Sequence, residues 1–188
     1  VSWFWFLGVV FVTQIPLFTI DTLRGTETIA TLIFALFSIG IGAGSVFCNR
    51  LLKGVVSVKY VPVSALLISL FIIDLYFAAG RATLLTPDGS TATLDTLLRS
   101  FNGLRTLFDL FAVAFCAGLY VVPLFATMQA RTPYYLRART IGANNIMNAL
   151  FMIIATVASA ILLKAGVSAR GLFLALGLAN LIAAAYII

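Results

Sequence analysis

Six apolar stretches, separated by short polar joins, limit what this chain can become. They run over approximately 1–20, 28–49, 61–79, 104–130, 138–163 and 171–188. A helix needs about 20 apolar residues to cross a bilayer core, and each stretch comes near that length. Of the 188 residues 62% are hydrophobic and only 10% charged, against about 45–50% apolar in soluble domains. So few charges could not cover a water-facing surface. A membrane β-barrel would alternate apolar and polar residues in segments of about ten, whereas these runs are unbroken. The expected fold is all-α integral membrane: a single transmembrane domain over 1–188, multi-pass, with six transmembrane helices.

Several functions drop out. The chain has no histidine, so imidazole acid–base catalysis, His-dependent acyl transfer and His metal sites are excluded. It has no G-x-x-x-x-G-K-[ST] loop to cradle phosphates, so ATP is not hydrolysed within it. No catalytic residue, metal site or cofactor is expected. The net charge of +6 reads as loop topology and not as a nucleic-acid footprint, since no basic run with interleaved aromatics occurs. Cys48 and Cys116 fall inside apolar runs, as small buried residues do. Trp3 and Trp5 read as an interfacial anchor at an abrupt start, which suggests a piece cut from a longer protein.

Along the first span, Gln14 and Pro16 point to a kinked second half. In the second span Gly40 and Gly44 have the small-xxx-small spacing that lets two helix backbones approach. Thr31, Ser38, Gly42 and Ser45 fall on another face, so two close-packing sides are expected. Dinucleotide binding by the glycines is disfavoured, because no strand precedes them. Pro62 opens the third span, and Asp74 lies inside it. Residues 80–102 form the longest extramembrane segment. There Thr86-Pro87-Asp88-Gly89 predicts a turn. Leu94, Leu97, Leu98 and Phe101, with Asp95 four before Arg99, predict a short amphipathic helix on the membrane surface. Asn102-Gly103 is expected to break it from the fourth span.

An even number of spans puts both termini on one side. Arg50, Lys53, Lys59, Arg131, Arg137 and Arg139 then share a side with the termini, and Arg24, Arg81, Arg99, Lys164 and Arg170 lie opposite. Six against five does not set the orientation by the positive-inside rule.

Polar groups inside the spans carry the functional question. Between Tyr120 and Met152, an apolar run containing Pro123 enters a basic loop with Arg131, Arg137 and Arg139. A second run leaves it carrying Asn144, Asn145 and Asn148. An amide in lipid without a partner is costly, so something polar must meet these three. At about 100° per residue they share roughly a third of the helix surface with Thr156 and Ser159. Ile146, Leu150, Ile153, Ile154, Val157 and Ile161 lie outside it. Such a stripe either lines a polar cavity or hydrogen-bonds to a neighbouring helix. Asp74, Arg105 and Asp109 lie at similar depth towards the outer side. They mark either a substrate or ion route or an Arg105–Asp109 pair of neighbours on one helix. In the first case Arg105 and Asp109 would act together in substrate or ion handling. The loop arginines either anchor to anionic headgroups and cap helix ends or take part in gating.

The segments SWFWFLG (Ser2–Gly8), FSIGIGAGSVFCNR (Phe37–Arg50), DLYFA (Asp74–Ala78), GLYVVPLFATMQAR (Gly118–Arg131) and RTIGANNIMNALFM (Arg139–Met152) carry a resemblance over nearly the whole chain. It resembles the second six-helix half of a major facilitator superfamily transporter, and within it the lysophospholipid transporter family. The chain departs from the superfamily's G-x-x-x-D-R-x-G-R loop: Cys48 stands at the aspartate position, and the basic residue comes one later, at Arg50. The resemblance implies half of a twelve-helix fold, cytoplasmic termini and a place in the bacterial inner membrane. It implies that Gln14, Asp109 and the asparagine stripe face substrate, with Asp74 supporting. It further implies lipid transport in phospholipid remodelling, moving lysophospholipid inward for reacylation. The partners would be membrane lipid, the substrate, the N-terminal six-helix half and a fused phospholipid acyltransferase or acyl-carrier-protein synthetase. A carrier of another amphiphile or drug, and a non-transporting anchor for a fused acyltransferase, remain as alternatives.

Overall fold

The structure is a computed structural model, and it describes residues 1–82 and 91–187. Helix α1 covers Ser2–Leu17, α2 Glu27–Leu51, α3 Val61–Ala82, α4 Leu94–Arg99, α5 Phe101–Arg131, α6 Arg137–Lys164 and α7 Ala169–Ile187. All but α4 belong to six helical segments long and apolar enough to cross a membrane. The protein is a multi-pass, all-α membrane protein by this measure. The expected turn at Thr86–Gly89 lies outside the described residues.

Four helices stand side by side in the order α2, α5, α3, α7, and α1 packs chiefly on α6. The α2–α5 contact rests on glycines. A Cβ on Gly40 would lie 2.8 Å from the Ala114 Cβ, and one on Gly44 would overlap the Phe115 carbonyl. From the opposite side, a Cβ on Gly118 would meet the Ile41 carbonyl at 2.5 Å. Only hydrogen fits at these crossings, which is how small residues draw spans together when lipid supplies no hydrophobic drive. Most of the second packing side expected on α2 is unfilled: Thr31, Ser38 and Gly42 are exposed and nothing approaches Gly42, while Ser45 is half-buried beside Gly118 of α5. Thr31 and Ser38 instead donate to the carbonyls of Glu27 and Phe34, one turn back.

Helix α1 reaches the rest of the bundle through stacked aromatics. Phe11 lies 4.5 Å from Phe173 of α7 and 5.5 Å from Phe37 of α2, centroid to centroid. Just beyond Pro16 the helix widens into a π turn, Phe18–Thr22. The missing proline N–H and a π turn are both recognised causes of a bend.

Between α3 and α5, one expectation needs correction. The break lies at Ser100 and not at Asn102-Gly103. Ser100 is extended, and its hydroxyl accepts from the Gly103 N–H at 2.9 Å, capping α5. Gly103 is inside the first turn, where any side chain would strike the Leu97 carbonyl. Close docking of α4 therefore explains that glycine. In α4, Asp95 and Arg99 pair at 2.8 Å as the spacing predicts, and Leu97 is buried while Leu98 is exposed. The backbone N–H of Ala92 donates to the Arg24 carbonyl at 2.7 Å. The α1–α2 connection and the segment before α4 thus meet on one side of the bundle.

Candidate functional site

The asparagine stripe of α6 divides. Asn148 is buried, and its Oδ1 accepts from the Ser2 hydroxyl of α1 at 2.9 Å. Asn144, one turn away, is half-buried, and its Nδ2 is buried without a partner. Asn145 is exposed. Thr156 is exposed too and bonds back to Met152, whereas Ser159 is buried and bonds to Ala155. The residues outside the arc, Ile146, Leu150, Ile153, Ile154, Val157 and Ile161, are all exposed. One amide is thus tied to α1 through its oxygen, and two have no partner within the described residues.

Further along the same line of α6, Met152 lines an apolar cavity of about 320 Å³. The cavity lies where α1 stands away from α2 and α5. Its walls include Trp5, Gly8, Phe37, Ile41, Ala117 and Met152, and they expose almost no polar atom. No heavy atom lies within 4 Å of where a Gly8 Cβ would be. Gln14 is not in this lining; it is buried on α1, its Nε2 donating to the Thr13 hydroxyl at 3.3 Å.

Charges gather near the opposite end of the bundle. Arg105 of α5 grips Asp74 of α3 with both ends of its guanidinium: Nε donates to Oδ2 at 2.8 Å and Nη2 to Oδ1. The alternative reading, an Arg105–Asp109 pair of neighbours on one helix, is not formed among the described residues, because Asp74 has taken the arginine. Asp109 is 1% exposed, and its Oδ2 has no hydrogen-bond partner. A second cation, Arg170 of α7, lies 4.5 Å over the Tyr76 ring. In the loop before α6, Arg137 sits 5.7 Å over Tyr134 and donates to the Thr132 carbonyl at 3.4 Å, near the end of α5.

Asn180 is the only amide of the last apolar stretch. This residue of α7 is 1% exposed. Its Oδ1 accepts from the Trp3 indole at 2.8 Å, and its Nδ2 donates to the Ala65 carbonyl at 2.8 Å and the Ser69 hydroxyl at 2.9 Å. It ties α1, α3 and α7 together. Trp3 is accordingly turned inward, stacked on Phe6 at 4.9 Å, and does not serve as a surface anchor; Trp5 is the exposed one of the two. The available signal was the cost of a lone amide in an apolar span, which demands a partner.

No protein-family model, no curated protein and no solved structure matches the chain.

Proposed function

We propose that this chain is one six-helix half of a twelve-helix carrier of the major facilitator type, moving lysophospholipid across the bacterial inner membrane for reacylation. The observation that carries the proposal is the polar surface left uncovered. Asn145 on α6 and the Thr31–Ser38–Gly42 face of α2 are exposed, although both helices are apolar enough to span. An amide facing hydrocarbon is unfavourable. A second six-helix half, with a water-accessible path between the two, resolves that cost.

In this reading Asn144, Asn145 and Asn148 border the path. Asp109 offers a carboxylate to an ammonium headgroup or a coupling cation. Arg105 can take a phosphate only when its pair with Asp74 opens, so that pair serves as a gate between α3 and α5. Gln14, buried on α1, supports the path from behind. Arg131, Arg137 and Arg139, where α5 passes into α6, meet anionic headgroups.

The substrate class is tested by ligand stabilisation of the purified full-length protein. A ligand that binds the folded state adds about 2.7 kcal/mol at a hundred times its Kd. Lysophosphatidylethanolamine should raise the unfolding midpoint, and its diacyl counterpart at equal concentration should not. Equal response to both, or to neither, rejects the assignment. Stabilisation by a cationic drug alone would favour the carrier of another amphiphile.

A further inference from the structure

We infer that the cavity between α1, α2, α5 and α6 is a hydrocarbon-chain site, and that with the α6 amides it forms one amphiphile site: polar head at Asn144 and Asn148, single apolar tail beside Gly8. The inference rests on the carrier reading and adds to it where the tail goes.

Three observations meet here. First, the walls offer almost nothing for water to bond to. Walls of this kind hold water poorly and suit apolar ligands. At about 320 Å³ it falls within the ~300–1,000 Å³ range of small-molecule sites. Second, the one α6 residue in the lining shares a helix face with the amides, which stand just outside it. Asn144, Asn148 and Met152 follow at intervals of four, one above another on a helix. The first has a buried, unpartnered Nδ2, the second bonds Ser2, and the third lines the cavity. A ligand lying along this line passes from amide to hydrocarbon surroundings, the polarity of an amphiphile. Third, Gly8 opens the wall. It sits in a spanning helix, where glycine usually marks close helix packing, yet nothing packs on it. The space it frees belongs to the cavity.

The occupant is one chain and not two. Its volume of about 320 Å³ lies near the bottom of the ~300–1,000 Å³ range of small-molecule sites, which leaves no room for a second chain. Hydrocarbon is also what the surrounding solvent, the bilayer, supplies.

The test uses the full-length protein in diacyl phospholipid vesicles. The probe is lysophosphatidylethanolamine with a photoreactive diazirine at mid-chain, and adducts are mapped by mass spectrometry. Adducts are expected on Trp5–Val12 and on Met152. Gly8→Phe, which fills the cavity from a position with no neighbour, should lower them on the order of tenfold. Gly8→Ala should change them little. Ala117→Phe enters from the α5 wall and gives the same forecast should Gly8→Phe fail to fold. Adducts confined to Ile153, Val157 and Ile161 on the outward face, or unaffected by either phenylalanine, overturn the inference. Cavity adducts without transfer of the probe across the membrane reject the carrier and keep the hydrocarbon site. Transfer with no cavity adduct does the reverse.

Discussion

Asn180→Leu removes an amide of similar size from a site that is 1% exposed, so shape is nearly kept and polarity is lost. Three hydrogen bonds go with it, from Trp3, to Ala65 and to Ser69, at 2.8, 2.8 and 2.9 Å. Interhelical hydrogen bonds in membranes average about 0.6 kcal/mol and reach about 1.7. The expected loss is therefore about 2 kcal/mol, with a ceiling near ~5. Not all three bonds weigh alike. Ser69 keeps a bond to the Ala65 carbonyl at 3.4 Å, and that carbonyl also sits in a helix. Trp3 loses its one partner among the described residues. Most of the cost should therefore trace to the indole, and a double-mutant cycle isolates it. Trp3→Phe keeps an aromatic ring against Phe6 and removes the donor. Combined with Asn180→Leu it should cost less than the sum of the single changes, by about 0.6 kcal/mol or more. Equilibrium unfolding in bicelles measures all four proteins. An Asn180→Leu cost below about 0.5 kcal/mol, or strict additivity, would refute the clamp.

Three other outcomes follow from the packing and the charges. Gly44→Ala should destabilise by about 1–3 kcal/mol, as overpacking does, while Gly8→Ala, facing open space, should change unfolding by less than about 0.5 kcal/mol. Arg105→Leu alone should destabilise the fold, because it leaves the Asp74 carboxylate between α3 and α5 without its cation. Adding Asp74→Leu should recover most of that stability, and adding Asp109→Leu should recover little; the reverse order would restore the pair of neighbours on α5. Cysteines replacing Asn145 and Ile154 are both exposed positions, so maleimide labelling in membranes separates water from lipid. The first should react and the second should not; equal inertness would make the stripe packing alone.

Spans were legible because hydrophobic length is a local property that lipid enforces residue by residue. Gly40 and Gly44 were legible for a similar reason, since their spacing alone aligns them on one face. What the sequence withheld was the identity of partners. Arg105 had two carboxylates within reach by depth, and periodicity favoured Asp109 on its own helix. Asp74 won because α3 and α5 pack closely enough to present a planar, two-point acceptor, a tertiary fact. Asn102-Gly103 looked like a breaker because glycine ends many helices. Here Ser100 supplies the cap, and Gly103 makes room for Leu97. Asn180 stands out as the lone amide of an apolar helix, but which groups on α1 and α3 meet it is again a tertiary fact. The cavity left no trace in the sequence: Gly8 reads like any packing glycine until the space beside it is seen to be open.

The central claim is movement of a lysophospholipid between leaflets, and it is tested most directly by leaflet-resolved transfer. Vesicles carrying the full-length protein receive headgroup-labelled lysophosphatidylethanolamine in the outer leaflet, and a membrane-impermeant quencher reports what remains there. The account expects a protein-dependent, saturable loss of quenchable label, inhibited by unlabelled lysophospholipid and abolished by Asn144→Leu with Asn148→Leu in a folded protein. Label that stays fully quenchable, at the rate of empty vesicles, would contradict it.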